Sequence, residues 1–347
     1  MAKTLRVLVV DDSRVGRTML GRIVAADPEM TVVGEAEDGG EALRMLPELK
    51  PDLVLMDIMM PKVDGLTATE ELMRTNPTPV VLISDLSARD VQLNFKALEA
   101  GALDILGKPT ATEANDPLTR QRLARKLRLL AEVPVVRRRR KSTPSSTPIA
   151  SPPLATAPSR KVELVCIGAS TGGPPAIAGL LKAIGPKAPW PILVVQHMTT
   201  GFMGSLAAWL ADTTRLSVTI GEPSGPLTPG RVVVAPDFAH LVLTPTGLGL
   251  SREPPRRGHR PAVDCLFESV VEAGWASRTI GILLTGMGDD GAAGLRRIRD
   301  AGGWTIAQDE ASSVVYGMPR AAVELEAACD VLPLDAMPAR LAALTAV

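Results

Sequence analysis

Short apolar runs alternate with amphipathic segments over the first 130 residues of the chain. Five of these runs have the length and composition of buried strands: residues 5–10, 31–36, 52–57, 79–84 and 103–108. The segments between them carry apolar residues at helical spacing. This alternation predicts a parallel sheet with helices on both faces.

The same alternation resumes after residue 160. Strand-like runs occupy residues 162–168, 191–196, 231–236, 240–244, 279–286 and 304–308. Between residues 215 and 251 the runs are short, closely spaced and separated by prolines, which predicts an antiparallel excursion. The fold class expected from both patterns is α/β, with two doubly wound parallel-sheet domains.

The two patterns are separated by residues 131–160, which lack periodic hydrophobic positions. The clearest part, from Val133 to Arg160, contains six prolines and many serines and threonines. Such a segment buries too little apolar surface to order itself, so we expect a flexible linker between domains at residues 1–130 and 161–347. The basic run Arg137–Lys141 is either a solvated tether or a contact for an acidic partner or lipid headgroups.

The amino-acid composition argues against several classes of function. Lys+Arg and Asp+Glu both number 38, and aromatic residues make up 3% of the chain. A protein without net charge and poor in aromatics offers neither an attractive field for nucleic acid nor stacking platforms for bases. The three cysteines form no CxxC pair, which favours a reducing compartment over a disulfide framework or a structural zinc site.

The N-terminal stretch MAKTLRVLVVDDSR has an apolar core that is too short for a signal peptide. No run approaches the roughly 20 apolar residues of a membrane span. We therefore expect a cytoplasmic protein without membrane insertion.

Polar residues follow four strands of the first domain: Asp11 and Asp12, Asp57, Ser84 and Lys108. The carboxyl ends of parallel strands meet at one edge of a sheet, so these side chains are expected to converge. Clustered carboxylates repel one another unless a cation joins them, and oxygen donors point to Mg²⁺, with Asp57 as a nucleophile toward phosphorus. The alternative is that the acid pair caps the next helix.

Residues 5 to about 125 resemble a response-regulator receiver domain. The resemblance rests on the stretches VLVVDDS, LVLMDIMMPKVDGL, PVVLIS and ALEAGALDILGKP. It implies a flavodoxin-like fold, with Asp57 accepting a phosphoryl group from a sensor histidine kinase. It also implies that Mg²⁺ is held by Asp11, Asp12, Asp57 and the backbone carbonyl of Met59.

The same resemblance assigns the conformational switch of the receiver. Ser84 is the switch hydroxyl, and Lys108 contacts the phosphoryl oxygens. Many receivers carry an aromatic residue three positions before this lysine, whereas this chain has Ile105. The effect of Ile105 is left open, while the Ser84–Lys108 part of the switch is intact.

In the second domain, residues 168–172 read GASTG and fit the G-x-S-x-G pattern of a nucleophile elbow around Ser170. A glycine-rich strand-to-helix turn also suits phosphate binding, but the dinucleotide fingerprint and a Walker lysine are absent. A serine nucleophile needs a base. His197 ends a strand at the same sheet edge, whereas His240 opens a strand and His259 lies in a Pro/Arg-rich loop.

The base in turn needs a carboxylate that orients it. Asp289 and Asp290 both follow the strand-like run TIGILLTG in a glycine-rich loop. Either one is also able to cap the next helix, and the spacing alone does not choose between them.

Residues 161 to about 345 resemble the catalytic domain of the protein-glutamate methylesterases of bacterial chemotaxis. The stretches that carry the resemblance are IGASTGGP, VVQHM, VAPDFAHLVL, HRPAVDCLFESV, ILLTGMGDDGAAG and QDEASSVVYGMPRAA. The order of receiver, linker and esterase matches this family as well. The resemblance implies a Rossmann-like serine esterase domain.

By this resemblance Ser170 is the nucleophile, His197 the base and Asp290 the orienting carboxylate. Backbone N–H groups near Thr171 and Met287 stabilise the oxyanion. No cofactor is implied in the esterase site, and Mg²⁺ is implied only at the receiver. The family usually has prolines after the His-Met pair, where this chain reads TTGF, so its substrate preference is less defined than its chemistry.

The expected function is therefore a phosphorylation-activated esterase. It hydrolyses methyl esters of glutamates on methyl-accepting chemoreceptors, and deamidation of receptor glutamines by the same groups is consistent with it. The rival function is a response regulator whose second domain binds nucleic acid. That function requires a helix-turn-helix or a basic recognition face, and neither is visible after residue 161.

Overall fold

Five parallel strands form the sheet of the first domain in the computed structural model, which describes residues 4–85, 91–135 and 161–345. The strands are β1 Leu5–Val10, β2 Met30–Ala36, β3 Leu53–Asp57, β4 Val80–Ser84 and β5 Asp104–Gly107. Their order is β2-β1-β3-β4-β5, and every neighbouring pair is parallel. This is the flavodoxin-like order. All five predicted strands are confirmed.

The helices of this domain follow the strands in alternation. They are α1 Arg14–Val24, α2 Gly39–Leu49, α3 Gly65–Thr75, α4 Val91–Ala100, α5 Ala111–Asn115 and α6 Pro117–Ala131. Strands β3 and β4 are buried along their whole length, as expected for a sheet covered on both faces. The chain order reverses between β1 and β3, so the residues that follow these two strands flank the crevice where α/β folds bind ligands.

The described part of the second domain, residues 161–345, contains nine strands. They are β6 Leu164–Ala169, β7 Ile192–Gln196, β8 Ser217–Ile220, β9 Arg231–Val234, β10 His240–Thr244, β11 Gly247–Ser251, β12 Thr279–Leu283, β13 Trp304–Gln308 and β14 Asp330–Leu332. Seven of them form a parallel sheet in the order β14-β13-β12-β6-β7-β9-β8, and β10 and β11 form an antiparallel pair. The contacts divide the chain into the units Met1–Ser146 and Thr147–Val347, and most of the predicted linker, with Arg137–Lys141, lies outside the described residues.

Between residues 161 and 345, six α-helices accompany these strands. They are α7 Gly173–Ile184, α8 Met203–Thr214, α9 Val263–Glu272, α10 Ala292–Asp300, α11 Met318–Glu324 and α12 Met337–Thr345. The core lies between the sheet and helices α9 and α10, where Leu266, Phe267 and Leu295 are fully buried against the strands. The doubly wound parallel sheet is confirmed.

The predicted antiparallel excursion between residues 215 and 251 is wrong for its first half. Strands β8 and β9 pair in parallel and belong to the main sheet, and only β10 and β11 are antiparallel. The connection of residues 221–230 contains Pro223, Pro226 and Pro229. A ten-residue connection with three prolines is too long and stiff for a tight hairpin. The chain therefore runs back to the end of the sheet where β8 began, and β9 starts there in the same direction.

The order of strands in this sheet reverses between β6 and β12. The segments that follow β6 and β12 therefore flank the crevice at the carboxyl edge, and the segment that follows β7 lies beside them. Ser170, His197 and Asp290 belong to these three segments. The topology thus brings the three residues to one edge of the sheet.

Candidate active site

Ser170 directly follows β6 and starts the turn into α7. Its N–H donates to the Thr285 carbonyl at 3.0 Å, and its own carbonyl accepts the N–H of Gly173 at 2.8 Å. Gly172 has a φ of +75°, which closes this turn and which other residues adopt only with strain. Gly172 therefore serves a sharp strand-to-helix turn, whereas Gly168 lies within β6, where an added Cβ would lie 2.3 Å from the Val263 side chain.

The loop after β12 packs closely against this serine. A Cβ added to Gly286 would lie 2.7 Å from the Ser170 Cβ, so no larger residue fits at position 286. The Thr285 hydroxyl donates to the Thr171 carbonyl at 3.0 Å. Thr171 and Met287, the predicted oxyanion donors, thus belong to the two segments that meet at Ser170.

His197 follows β7 and is joined to Asp290 by a side-chain hydrogen bond. The Nε2 atom of His197 lies 2.8 Å from Oδ2 of Asp290, and the two side chains are 5% and 2% exposed. The backbone N–H of His197 donates to the Ala169 carbonyl, next to Ser170. The other ring nitrogen, Nδ1, is buried and has no hydrogen-bond partner among the described residues. This nitrogen is the one that remains to accept a proton.

Asp290 is held by the N-terminus of helix α9. Its Oδ2 accepts the N–H of Val263 at 2.7 Å, and its Oδ1 accepts the N–H of Asp264 at 3.0 Å. Burial by itself raises the pKa of Asp290, but the hydrogen bonds from His197 and from these two amides outweigh it and lower the pKa to about 2. Asp290 is therefore ionised, so Nε2 of His197 carries the hydrogen that it donates.

Asp289 points elsewhere. Its carboxylate pairs with Arg257, and its side chain is 60% exposed. The structure thus separates two neighbouring acids that the sequence spacing left equivalent: Asp290 reaches His197, and Asp289 pairs with an arginine at the surface.

The polar residues of the first domain also converge at one sheet edge. One carboxylate oxygen from each of Asp11, Asp12 and Asp57 lies within 4.8 Å of the others. Lys108 Nζ lies 2.7 Å from Oδ2 of Asp57 and 3.4 Å from Oδ2 of Asp11. Burial raises the pKa of Asp57 to about 6, against the opposing effect of Lys108. The three carboxylates of this cluster carry more negative charge than the single lysine neutralises.

This cluster fits a divalent cation. The Oδ2 atom of Asp11 is buried and has no hydrogen-bond partner in the described parts of the chain. The donors are all oxygens, which Mg²⁺ prefers. Met59 follows in the loop after β3, where its N–H lies 3.4 Å from Oδ1 of Asp57.

The predicted switch residue Ser84 has a partner that sequence analysis did not identify. Asn94 on helix α4 donates from Nδ2 to the Ser84 Oγ at 2.7 Å, and both residues are fully buried. The Ser84 hydroxyl donates to the Asp85 carbonyl at 3.0 Å. Ile105, three positions before Lys108, is also fully buried.

Both halves of the chain match known protein families. Residues 165–341 match the family model of the CheB methylesterase, and residues 7–115 match that of the response regulator receiver domain. A protein-glutamate methylesterase/protein-glutamine glutaminase from Myxococcus xanthus is 44% identical over 97% of this chain and 96% of its own length. A second one, from Anaeromyxobacter dehalogenans, is 46% identical over 99% of this chain and 98% of its own length.

The chain belongs to the CheB methylesterase family. A solved structure, the CheB methylesterase catalytic domain of Thermotoga maritima, is similar to its second half. The identity is 37%, the TM-score is 0.50, and the match covers 52% of this chain and 98% of that domain. In the described residues of the present chain, no helix is long and apolar enough to span a membrane.

Two further residues contact the candidate triad of this CheB-family chain, and sequence reasoning missed both. Gln196, the last residue of β7, donates from Nε2 to the Ser170 carbonyl at 2.7 Å and to the His197 carbonyl at 2.8 Å. His259 stacks on His197, with ring centroids 3.8 Å apart and an interplanar angle of 2°. The only sequence signal for Gln196 was its position next to the histidine that ends the strand. The sequence of the loop gave no signal for the contact of His259.

Proposed function

We propose that this protein is a cytoplasmic, phosphorylation-activated protein-glutamate methylesterase that also deamidates glutamines. The observation that carries the proposal is the arrangement of His197, which binds the ionised Asp290 through Nε2 and whose buried Nδ1 has no hydrogen-bond partner within the described ranges of the chain. Its backbone N–H donates to the carbonyl of Ala169, the residue that ends β6 just before Ser170. The names of the Myxococcus and Anaeromyxobacter relatives support both activities.

In the proposed mechanism the Ser170 Oγ attacks the carbonyl carbon of a glutamate methyl ester, and His197 takes the hydroxyl proton at Nδ1. Asp290 stabilises the imidazolium that forms. The N–H groups of Thr171 and Met287 stabilise the oxyanion of the tetrahedral intermediate. His197 then returns the proton to the leaving methoxide, and methanol departs.

The remaining acyl-enzyme is an ester between the glutamyl carbonyl and Ser170. His197 accepts a proton from a water molecule, which attacks this carbonyl, and then returns that proton to the Ser170 oxygen as it leaves. The product is a free glutamate side chain. A glutamine substrate follows the same path and releases ammonia in place of methanol.

The substrate that we propose is a methyl-accepting chemoreceptor. The proposed phosphodonor is a sensor histidine kinase, and the acceptor is Asp57. Asp11, Asp12, Asp57 and the Met59 carbonyl would hold Mg²⁺, which neutralises phosphoryl oxygens when it is bound. Lys108 pairs with the phosphoryl group, and the Ser84 hydroxyl turns toward it.

The proposed division is a receiver at residues 1–130, a linker at residues 131–160 and an esterase domain at residues 161–347. The residues proposed for the phosphorylation site all lie in the receiver, and those proposed for the esterase site all lie in the esterase domain. Each proposed site is therefore complete within one domain. We propose no nucleic-acid partner and no cofactor for the esterase site.

The proposal is tested by methanol release from methylated chemoreceptor fragments and by labelling with a fluorophosphonate probe. We expect the probe to modify Ser170 and to stop methanol release. Ser170→Ala and His197→Ala should each reduce release by about 10⁴- to 10⁶-fold. Folded variants that release methanol at the wild-type rate would overturn the proposal, and a salt-dependent gel shift with random DNA would favour the rival.

A further inference from the structure

The chain has three histidines, and the structure connects all of them around one site. His240, at the start of β10, is fully buried. Its Nδ1 accepts the N–H of Ala262 at 3.1 Å, and its Nε2 lies 3.3 Å from the Pro254 carbonyl. His240 therefore anchors both ends of the segment of residues 254–262, which carries His259.

The middle of this segment is fixed as well. Arg256 and His259 exchange two backbone hydrogen bonds, of 2.9 and 3.0 Å, which close a tight turn. The side chain of Arg256 pairs with Glu268 on helix α9. The His259 ring is thus presented by a braced turn, and it lies parallel to the His197 ring at 3.8 Å.

The stacking contact with His259 constrains the rotation of the His197 ring, which the hydrogen bond to Asp290 does not fix. Asp290 fixes the position of Nε2, but the outer side-chain torsion of histidine is broad and does not by itself set the plane of the ring. Stacking sets that plane and therefore the direction of Nδ1. The face of an aromatic ring also attracts a cation, and the proposed mechanism places a positive charge on His197 when it takes the Ser170 proton.

We propose that His259 is a positioning residue that holds the His197 ring plane and stabilises its imidazolium form by stacking. This inference rests on the proposed role of His197 as the base. Since the contact gains strength only when the charge appears, its loss lowers kcat and leaves KM nearly unchanged.

The test uses the unphosphorylated full chain and two pairs of variants. His259→Leu and His259→Gln remove the aromatic face, and His259→Phe keeps it. Arg252→Leu, in an exposed residue two positions before this segment, is the matched control. We expect Leu and Gln to lower kcat for methanol release by about 10-fold, and to slow fluorophosphonate labelling equally, with KM within about twofold. Phe and the control should stay within about threefold of wild type.

Folding and stacking have their own readouts. All four tryptophans lie between residues 190 and 304, so their fluorescence reports the unfolding of the catalytic domain alone. The ring protons of His197 should shift upfield in the NMR spectrum through the current of the stacked ring, and His259→Leu should abolish this shift.

Three outcomes would overturn the inference: wild-type kcat in folded Leu and Gln variants, a Phe variant as slow as the Leu variant, or a loss confined to KM. A His197→Ala variant measured in parallel separates the two proposals. If it is inactive while the Leu variant is fully active, only the role of His259 fails. If it keeps wild-type activity, the proposed triad fails.

Discussion

Asp290 caps the helix in which Asp264 lies, and Asp264 caps the helix that follows Asp290. Asp290 accepts the N–H groups of Val263 and Asp264 at the start of α9, while Oδ1 of Asp264 accepts the N–H of Gly294 in the first turn of α10 at 2.7 Å. Helix N-termini stabilise negative charge. This exchange fixes α9, α10 and the Asp290 carboxylate as one unit, and it aims Oδ2 of Asp290 at His197.

The first prediction compares the two neighbouring acids. Asp290→Asn should lower kcat by about 10⁴-fold, because an amide does not stabilise the imidazolium or hold the required tautomer. Asp289→Asn should stay within about threefold of wild type, since the exposed Asp289 carboxylate pairs with Arg257 at the surface. Steady-state methanol release measures both. Equal losses would contradict the assignment of Asp290.

The second prediction concerns stability and pH. The folded pKa of Asp290 is about 2 and lies below its ordinary value of 3.8, so its ionisation stabilises the fold at neutral pH. Asp290→Asn should therefore lower the free energy of unfolding at pH 7 by about 2 kcal/mol. This difference should shrink to about half at pH 3 and vanish as the pH falls through 2.

Urea unfolding followed by tryptophan fluorescence measures this difference in the catalytic domain of the intact chain, because all four tryptophans lie in that domain. Asp289→Asn serves as the control and should change little at either pH. A difference between Asp290→Asn and wild type that stayed constant between pH 7 and pH 3 would show that the Asp290 charge has no part in stability.

The third prediction concerns Gln196. Its amide group donates to the carbonyls of both Ser170 and His197, so Gln196→Met leaves two part-buried carbonyl groups without this donor. We expect kcat to fall by about 10- to 100-fold, because small displacements of catalytic groups are costly. Thr279→Val is the control. It removes a hydroxyl that bonds to the Trp275 carbonyl at the opposite edge of the sheet, and it should change stability but not kcat. Equal kcat values in the two variants would contradict this role.

The convergence of polar residues at two sheet edges was predictable because parallel strands place their carboxyl ends together. Asp57 and His197 follow strands whose apolar runs are unmistakable, and their neighbours in space follow from the topology. The parallel pairing of β8 with β9 was not predictable, since short strands separated by prolines carry no direction. The contact of His259 depends on a braced turn between distant residues, and no local pattern encodes such a path.

The fourth prediction concerns phosphorylation. Asp57→Asn should keep the basal methanol release of the unphosphorylated chain and lose all response to a small phosphodonor with Mg²⁺. The reason is that an amide neither accepts the phosphoryl group nor completes the cluster with Asp11 and Asp12. Arg74→Gln is the control, because the exposed Arg74 side chain pairs with the neighbouring Glu71 on α3. Full activation of Asp57→Asn would place the phosphorylation site elsewhere.

The last prediction separates phosphoryl uptake from its consequence. The Ser84 hydroxyl has one hydrogen, which it donates to the Asp85 carbonyl, and it accepts from Asn94 on α4. A phosphoryl group on Asp57 offers a charged acceptor, and the hydroxyl leaves Asp85 to reach it, which changes the contact with α4. Ser84→Ala should therefore be phosphorylated at a rate within about threefold of wild type but lose most of the activation of methanol release. Phosphate-affinity gels measure the first quantity and methanol release the second. A phosphorylated Ser84→Ala variant with full activation would show that the signal does not pass through this hydroxyl.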